Sequence, residues 1–203
     1  MPTSPMSPVA ARSRRARRLR CVTVAALGAA LALPVSAGAA VDRYLRLSGT
    51  DYRGESRAQG FVDAIDVHSA SFDIERAQDA SVPTFGHLTI TKYVDRASPA
   101  LMLAAAGGGV IRSALLSVRI AGPAPTSRPY LEYCFENVAV TSDQLDSASS
   151  EHRPVETVAF SYERVTQSYA QPQSDGTLAS PIVAGWSLMP SRAVSVFATG
   201  CGR

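Results

Sequence analysis

Cys134 and Cys201 are the two thiols of this chain outside its first forty residues, and thiols can serve as nucleophiles, metal ligands or halves of a disulfide. No reactive-cysteine signature surrounds either. Three pairing states stay open: an intramolecular disulfide, two free thiols, or bonds between subunits. Closing the loop of about 66 residues between them would contribute roughly 4 kcal/mol in the chain-entropy view, less any strain.

The histidines, His68, His87 and His152, lie in separate segments. Acid–base or nucleophilic catalysis would need one of them held by a carboxylate beside a nucleophile, and no G-x-S-x-G or H-E-x-x-H motif provides that. His68 and His87 read as packed or rim residues on strands, and His152 as part of a loop. Asp63 and Asp66, three apart on a strand, would point to opposite faces and share no site. Glu132 and Glu136 flank Cys134 on one face, but three donors of mixed hardness suit a solvated sheet face better than a metal. Gly107-Gly108-Gly109 follows a helix and so stops it, where a phosphate cradle would precede one. Trp186 reads as a core plug. No catalytic, metal-ligating or cofactor-binding residue is assigned, and no cofactor is expected.

Charge narrows the partners further. The full 203-residue chain carries 20 Lys+Arg against 17 Asp+Glu, a formal charge of +3. Six of the arginines lie between Arg12 and Arg20, ahead of an apolar run over residues 21–33, then Pro34 and the small-residue stretch VSAGAA. That is the layout of a cleavable secretory signal peptide over residues 1–40, with cleavage after Ala39 or Ala40. The apolar run is well short of the roughly 20 residues that span a bilayer, so no stable membrane anchor is expected. Ser13-Arg14-Arg15 partly matches a twin-arginine signal, and the general and twin-arginine routes both stay open. Removing those six arginines leaves 14 basic residues against 17 acidic, a charge of −3. The remaining arginines are scattered among acids, which excludes a nucleic-acid-binding face.

The elements that must position these residues are mostly strands. From Val41 onward, short period-2 segments alternate with Gly, Pro, Ser and Asp clusters, the pattern of an all-β sandwich or barrel. DRYLRLSG opens it, with Tyr44 alternating against Leu45 and Leu47. In FVDAIDVHSASFDI the inward parity switches between Ile65/Val67 and Phe72/Ile74, which requires a bulge near Ser69 or a crossing between sheets. PTFGHLTITKYV, VIRSALLSVRI and YLEYCFENVAV follow, the last with Leu131, Tyr133 and Phe135 inward. Val155 to Tyr169 is a sixth strand, and the turn at Ser174, Asp175 and Gly176 leads into a last one ending near Trp186. One helix interrupts them: Ser98 is placed to cap it, Pro99 to start it and Gly107 to end it. Being uncharged and Ala-rich, it should be largely covered by protein.

TKYVDRASPALML before a Gly stop, ESRAQGFVDAIDV, YLEYCFENVAV, HRPVETVAFSYERV and the closing DGTL…GW together resemble the Hcp family, haemolysin co-regulated proteins that form the tube of type VI secretion. The resemblance runs over about residues 42–188. It implies a mainly β fold, a small β-barrel of two sheets flanked by one short α-helix, here preceded by the signal peptide. It also implies a homo-oligomer, a hexameric ring, with a secreted effector or tube-tip protein as a possible partner. The exposed candidates for ring-to-ring contact are Thr50 to Gln59 and Arg76 to Val82. The domain expected is 41–188, with 189–203 as a C-terminal tail. Tube subunits carry no cleavable signal, and this chain departs from them there and in the longer tail. The leading reading is a secreted or periplasmic, ring-forming, non-catalytic protein. The rivals are an exported monomeric β-barrel binding module and an exported hydrolase, the latter needing a polar cleft that the motifs do not supply.

Overall fold

The structure, a computed structural model, describes residues 40–121, 128–147, 153–197 and 201. The expected signal peptide lies outside the described residues except for Ala40, and so do His152 and tail residues 198–200, 202 and 203. The described elements are β1 (Val41–Leu47), β2 (Ile65–Asp66), β3 (Ser69–Ser71), β4 (Ile74–Glu75), β5 (Thr84–Phe85), β6 (Leu88–Tyr93), α1 (Ser98–Gly107), β7 (Val110–Ile120), β8 (Leu131–Asp146), β9 (Val155–Ser161), β10 (Arg164–Tyr169), β11 (Ile182–Ser187) and β12 (Arg192–Val194).

All pairing is antiparallel, and β1, β7, β8, β9, β6 and β3 follow one another around a barrel. The circuit closes where β2, on β1, runs into β3, on β6. There the Val67 N–H bonds the Arg43 carbonyl at 3.0 Å and the His68 N–H bonds the Thr91 carbonyl at 2.8 Å. The parity switch in this stretch is therefore a crossing between two edges, which closure demands because each edge wants the opposite face inward. Beyond the barrel, β10, β11 and β12 continue from the first half of β8 as a flap, so the long sheet ends in β12 on one side and β2 on the other. A separate two-stranded sheet, β4–β5, carries the turn at Arg76 to Val82, and Ile74 on it is exposed, not inward as expected.

Three other expectations need correction. Val155 to Tyr169 is two strands, because Asn137 on β8 takes a left-handed φ of 52° opposite Tyr162 and Glu163 and breaks the ladder there. Within the tail, Arg192–Val194 pairs with Gly185–Ser187. The helix is half exposed: Leu101 and Ala104, three apart, pack inward, while Met102 and Leu103 are 58% and 67% exposed. A ten-residue helix lying on a barrel can bury one stripe only. Ser98 does not cap it. The Asp95 carboxylate accepts the Ala97 N–H at 3.0 Å, and the Ser98 hydroxyl reaches back to accept the Asp95 N–H at 3.1 Å. Gly108, at φ 69°, follows Gly107 and closes the last turn by donating its N–H to the Ala104 carbonyl.

Alternation sets the core. Leu45 and Leu47 of β1, Leu88 and Ile90 of β6, Phe135, Val138 and Val140 of β8, and Val158 and Phe160 of β9 fill the barrel with Ile65 and Leu101. Each such side chain contributes on the order of 2 kcal/mol by leaving water. Tyr44, on the other face of β1, stacks instead on Phe61 at 4.2 Å.

A latched sheet face and a buried lysine as candidate functional sites

On β8, Phe135 faces the barrel interior and Glu132, Cys134 and Glu136 face the other way. The expectation that this face is solvated does not hold. Cys134 is fully buried and Glu132 is 7% exposed, because the chain beyond β12 folds back across the sheet. Cys201 lies over Cys134 with their Cα atoms 5.9 Å apart and their sulfurs joined as a disulfide. Phe197 packs beside them against Leu115. Register puts Leu115 and Thr166 on either side of Cys134, and Ser117 and Ser168 on either side of Glu132. Leu115, Thr166, Ser117 and Ser168 are buried. Glu136, further along, pairs with Arg164 at 3.0 Å.

A second cluster went unread as a site. Period-2 alternation on β6 places Lys92 on the same side as Leu88 and Ile90, where an apolar residue would be expected. Lys92 is the sole lysine of the chain and is 0% exposed. Its ammonium donates to Asp95 Oδ1 at 2.8 Å, to the Tyr93 carbonyl at 3.0 Å and to the Ser98 hydroxyl at 2.9 Å, and pairs with Glu156 Oε2 at 2.7 Å. The Ser98 hydroxyl in turn donates to Glu156 Oε2. Asp143, from the neighbouring strand β8, adds a third carboxyl. Burial, reinforced by the Glu156 charge and opposed by Lys92, pushes Asp143 up to about 6. The signal was present in TKYVDRASP: Lys, Asp and Ser three apart at a strand-to-helix junction, with the lysine on the inward parity. The arrangement fastens β6, the start of α1 and β9 together. Its ammonium is saturated by buried acceptors and inaccessible to a substrate, so it is structural.

The remaining candidates are not assembled into a reactive group. His68 and His87 sit in links beside strands, not on them, and both are exposed; His68 meets the Tyr93 ring edge-on at 4.1 Å, and His87 lies 3.4 Å from the Thr141 hydroxyl. Asp63 lies in a turn at φ 63° and pairs with Arg96 at 2.6 Å and Arg53 at 3.8 Å, away from the exposed Asp66. Trp186 lies outside the barrel core, half-buried near Phe85 in an apolar groove between the flap and β4–β5. No cluster of three or more His, Cys, Asp or Glu suited to a metal is present among the described residues, and no helix among them is long and apolar enough to cross a membrane.

Comparison with known proteins then places the barrel. The family model described as "Type VI secretion system effector, Hcp" matches residues 44–169. The chain is 27% identical over 158 residues to Protein hcp1 of Pseudomonas aeruginosa, spanning 73% of this chain and 96% of that one. It superposes on the crystal structure of Hcp1 from Salmonella typhimurium with a TM-score of 0.65 and 29% identity, covering 76% of this chain and 99% of that one. A structure described as a type six secretion system protein gives a TM-score of 0.68 at 27% identity, with 76% and 100% covered. The region these relatives share holds the barrel, the helix and the Lys92 cluster. With that span matched and that fold in hand, the chain belongs to the Hcp family, the structural, non-catalytic tube proteins of type VI secretion.

Proposed function

We propose that this chain is an exported member of the family: residues 1–40 are a signal peptide removed near Ala39 or Ala40, and the domain over 41–188 with its tail over 189–203 works in the periplasm or outside the cell. The observation that carries the reading is the disulfide between Cys134 and Cys201, which belongs in an oxidising compartment, set beside the arginine-rich and then apolar pattern of residues 1–33. In that role the chain forms a closed homo-oligomeric ring, six-membered by analogy with the family. A secreted effector or tube-tip protein is its partner. Export ahead of assembly distinguishes it from a tube built in the cytoplasm.

The test is N-terminal sequencing of the protein recovered from periplasm and medium. A mature start at Ala40 or Val41 is expected; a protein that keeps its first forty residues refutes the export reading. Light scattering of the mature protein checks the ring separately, and a strict monomer at high concentration refutes it. A second reading, an exported monomeric binding module, draws on one feature: the tail already covers a face of the sheet formed by β7, β8 and β10.

A further inference from the structure

Between β1 and β2 the chain alternates strictly between outside and inside over residues 51–59. Asp51, Arg53, Glu55, Arg57 and Gln59 are exposed, while Tyr52, Gly54, Ser56 and Ala58 are buried or half-buried. The inward set holds the segment down. Gly54 and Ser56 donate their N–H groups to the Asp63 and Ala64 carbonyls at 2.8 and 3.0 Å, and Asp63 returns one to the Ser56 carbonyl at 2.9 Å. Gly54 lies so close to the main chain of Ala64 and Ile65 that no side chain fits on it. Arg96, just ahead of α1, adds a clasp. Its Nε donates to the Arg53 carbonyl at 3.2 Å, its main-chain N–H to Glu55 Oε1 at 3.2 Å and its guanidinium to Asp63 at 2.6 Å. The exposed row is therefore a fixed strip whose charges run negative, positive, negative, positive from Asp51 to Arg57.

Read backwards, that strip is its own complement. Turned about a two-fold axis at Gly54, Asp51 meets Arg57 of a second copy and Arg53 meets its Glu55, and each pairing occurs twice. A row of one sign, or one running negative, positive, positive, negative, would set like charges against each other across the same axis.

We propose that this strip is a contact for a second copy of the same chain, seated strip against strip about a two-fold axis. Its main chain is already fixed, so little freedom is lost on pairing, and the opposed charges set the register. Arg53 and Glu55 keep contacts within their own chain, Arg53 with Asp63 at 3.8 Å, so the Asp51–Arg57 pairings at the two ends have most to gain. An exposed ion pair contributes little alone. In a closed ring the strip recurs once per subunit and the pairings act together. The contact rests on the ring reading only for its size: rings would stand face to face in twos, and single chains would pair as dimers. Such pairing uses up the strip on both partners, so association through it stops at two. A head-to-tail stack would instead set the strip against a different surface of the next ring.

The experiment follows the mass of the mature chain by light scattering at ionic strengths of about 0.01 M and about 1 M, where charges act over roughly 30 Å and 3 Å. The parent doubles in mass at low salt. Arg57→Glu and Asp51→Arg each set like charges across the axis, and each weakens the doubling at least about tenfold. The double variant Asp51→Arg/Arg57→Glu restores opposite charges and recovers the doubling, and so does an equimolar mixture of the two single variants. A head-to-tail contact gives no such recovery, and a strip that serves an unrelated protein leaves the parent at one mass at both salts; either result overturns the proposal. The unit that doubles tests the ring apart from the pairing. One chain becoming two refutes the ring and keeps the pairing, while a ring that never doubles refutes the pairing and keeps the ring.

Discussion

Replacing Lys92 by methionine keeps the length of the side chain and removes one charge from the barrel wall. The ammonium of Lys92 is within 3.0 Å of four acceptors, two of them carboxylates, and no part of its side chain reaches water. Taking away one member of a buried ion cluster leaves Asp95 and Glu156 facing each other with Asp143 nearby, and such uncompensated charge costs about 3–5 kcal/mol. Domain stabilities run to roughly 5–15 kcal/mol, so the loss is a large share of the whole. Chemical denaturation of the mature protein measures it directly. Adding Glu156→Gln should restore part of the loss, because it removes one of the two stranded carboxylates while keeping an acceptor for Ser98. The double variant therefore comes out more stable than the sum of the singles. A Lys92→Met protein within about 1 kcal/mol of the parent, or strict additivity with Glu156→Gln, would refute this account of the cluster.

Asp143 titrates at about 6 in the folded chain, above its ordinary 3.8, so the folded state holds that proton more tightly than the unfolded state. Its contribution is present in full below pH 4 and is lost as pH rises through 6; Asp143→Asn should stabilise at pH 7 and flatten the pH 4–7 difference curve in denaturant titrations. Gly54→Ala drives a Cβ into the Ala64 carbonyl oxygen, a main-chain neighbour that cannot swing aside, and should cost at least about 2 kcal/mol by thermal or chemical unfolding. Cys201→Ser breaks the latch and should lower stability by about 3–4 kcal/mol, while dithiol treatment of that variant, unlike the parent, leaves stability unchanged.

Much of the barrel was legible because period-2 alternation survives in each strand. Leu45 and Leu47, Leu88 and Ile90, and Phe135 all lie where alternation put them. Even the parity switch after Val67 was readable as a bulge or a crossing, and the crossing holds, since a strand that changes partners must change its inward set. What escaped had a common cause: long-range covering. Nothing in the residues around Met102 and Leu103 tells how much of α1 the barrel can hide. Nothing around Cys134 shows that a segment some 65 residues later lies over it. Trp186 looked like a core plug by size and type, yet its strand belongs to the flap, outside the barrel interior. Lys92 is the opposite case. Its parity pointed inward and its partners were adjacent in sequence, but a lone lysine was read as a charge count and not as a buried ion.

The two ends of the long sheet carry a consequence for how copies of this chain can meet. β2 spans two residues and runs into the barrel closure, and β12 spans three, so neither supplies a run of free main-chain groups long enough to template another strand. Main-chain pairing is generic and joins almost any extended partner; side chains discriminate. A protein whose sheet borders are this short hands the choice of neighbour to side-chain shape and charge, and self-association then stops where those surfaces are used up instead of running on into fibres.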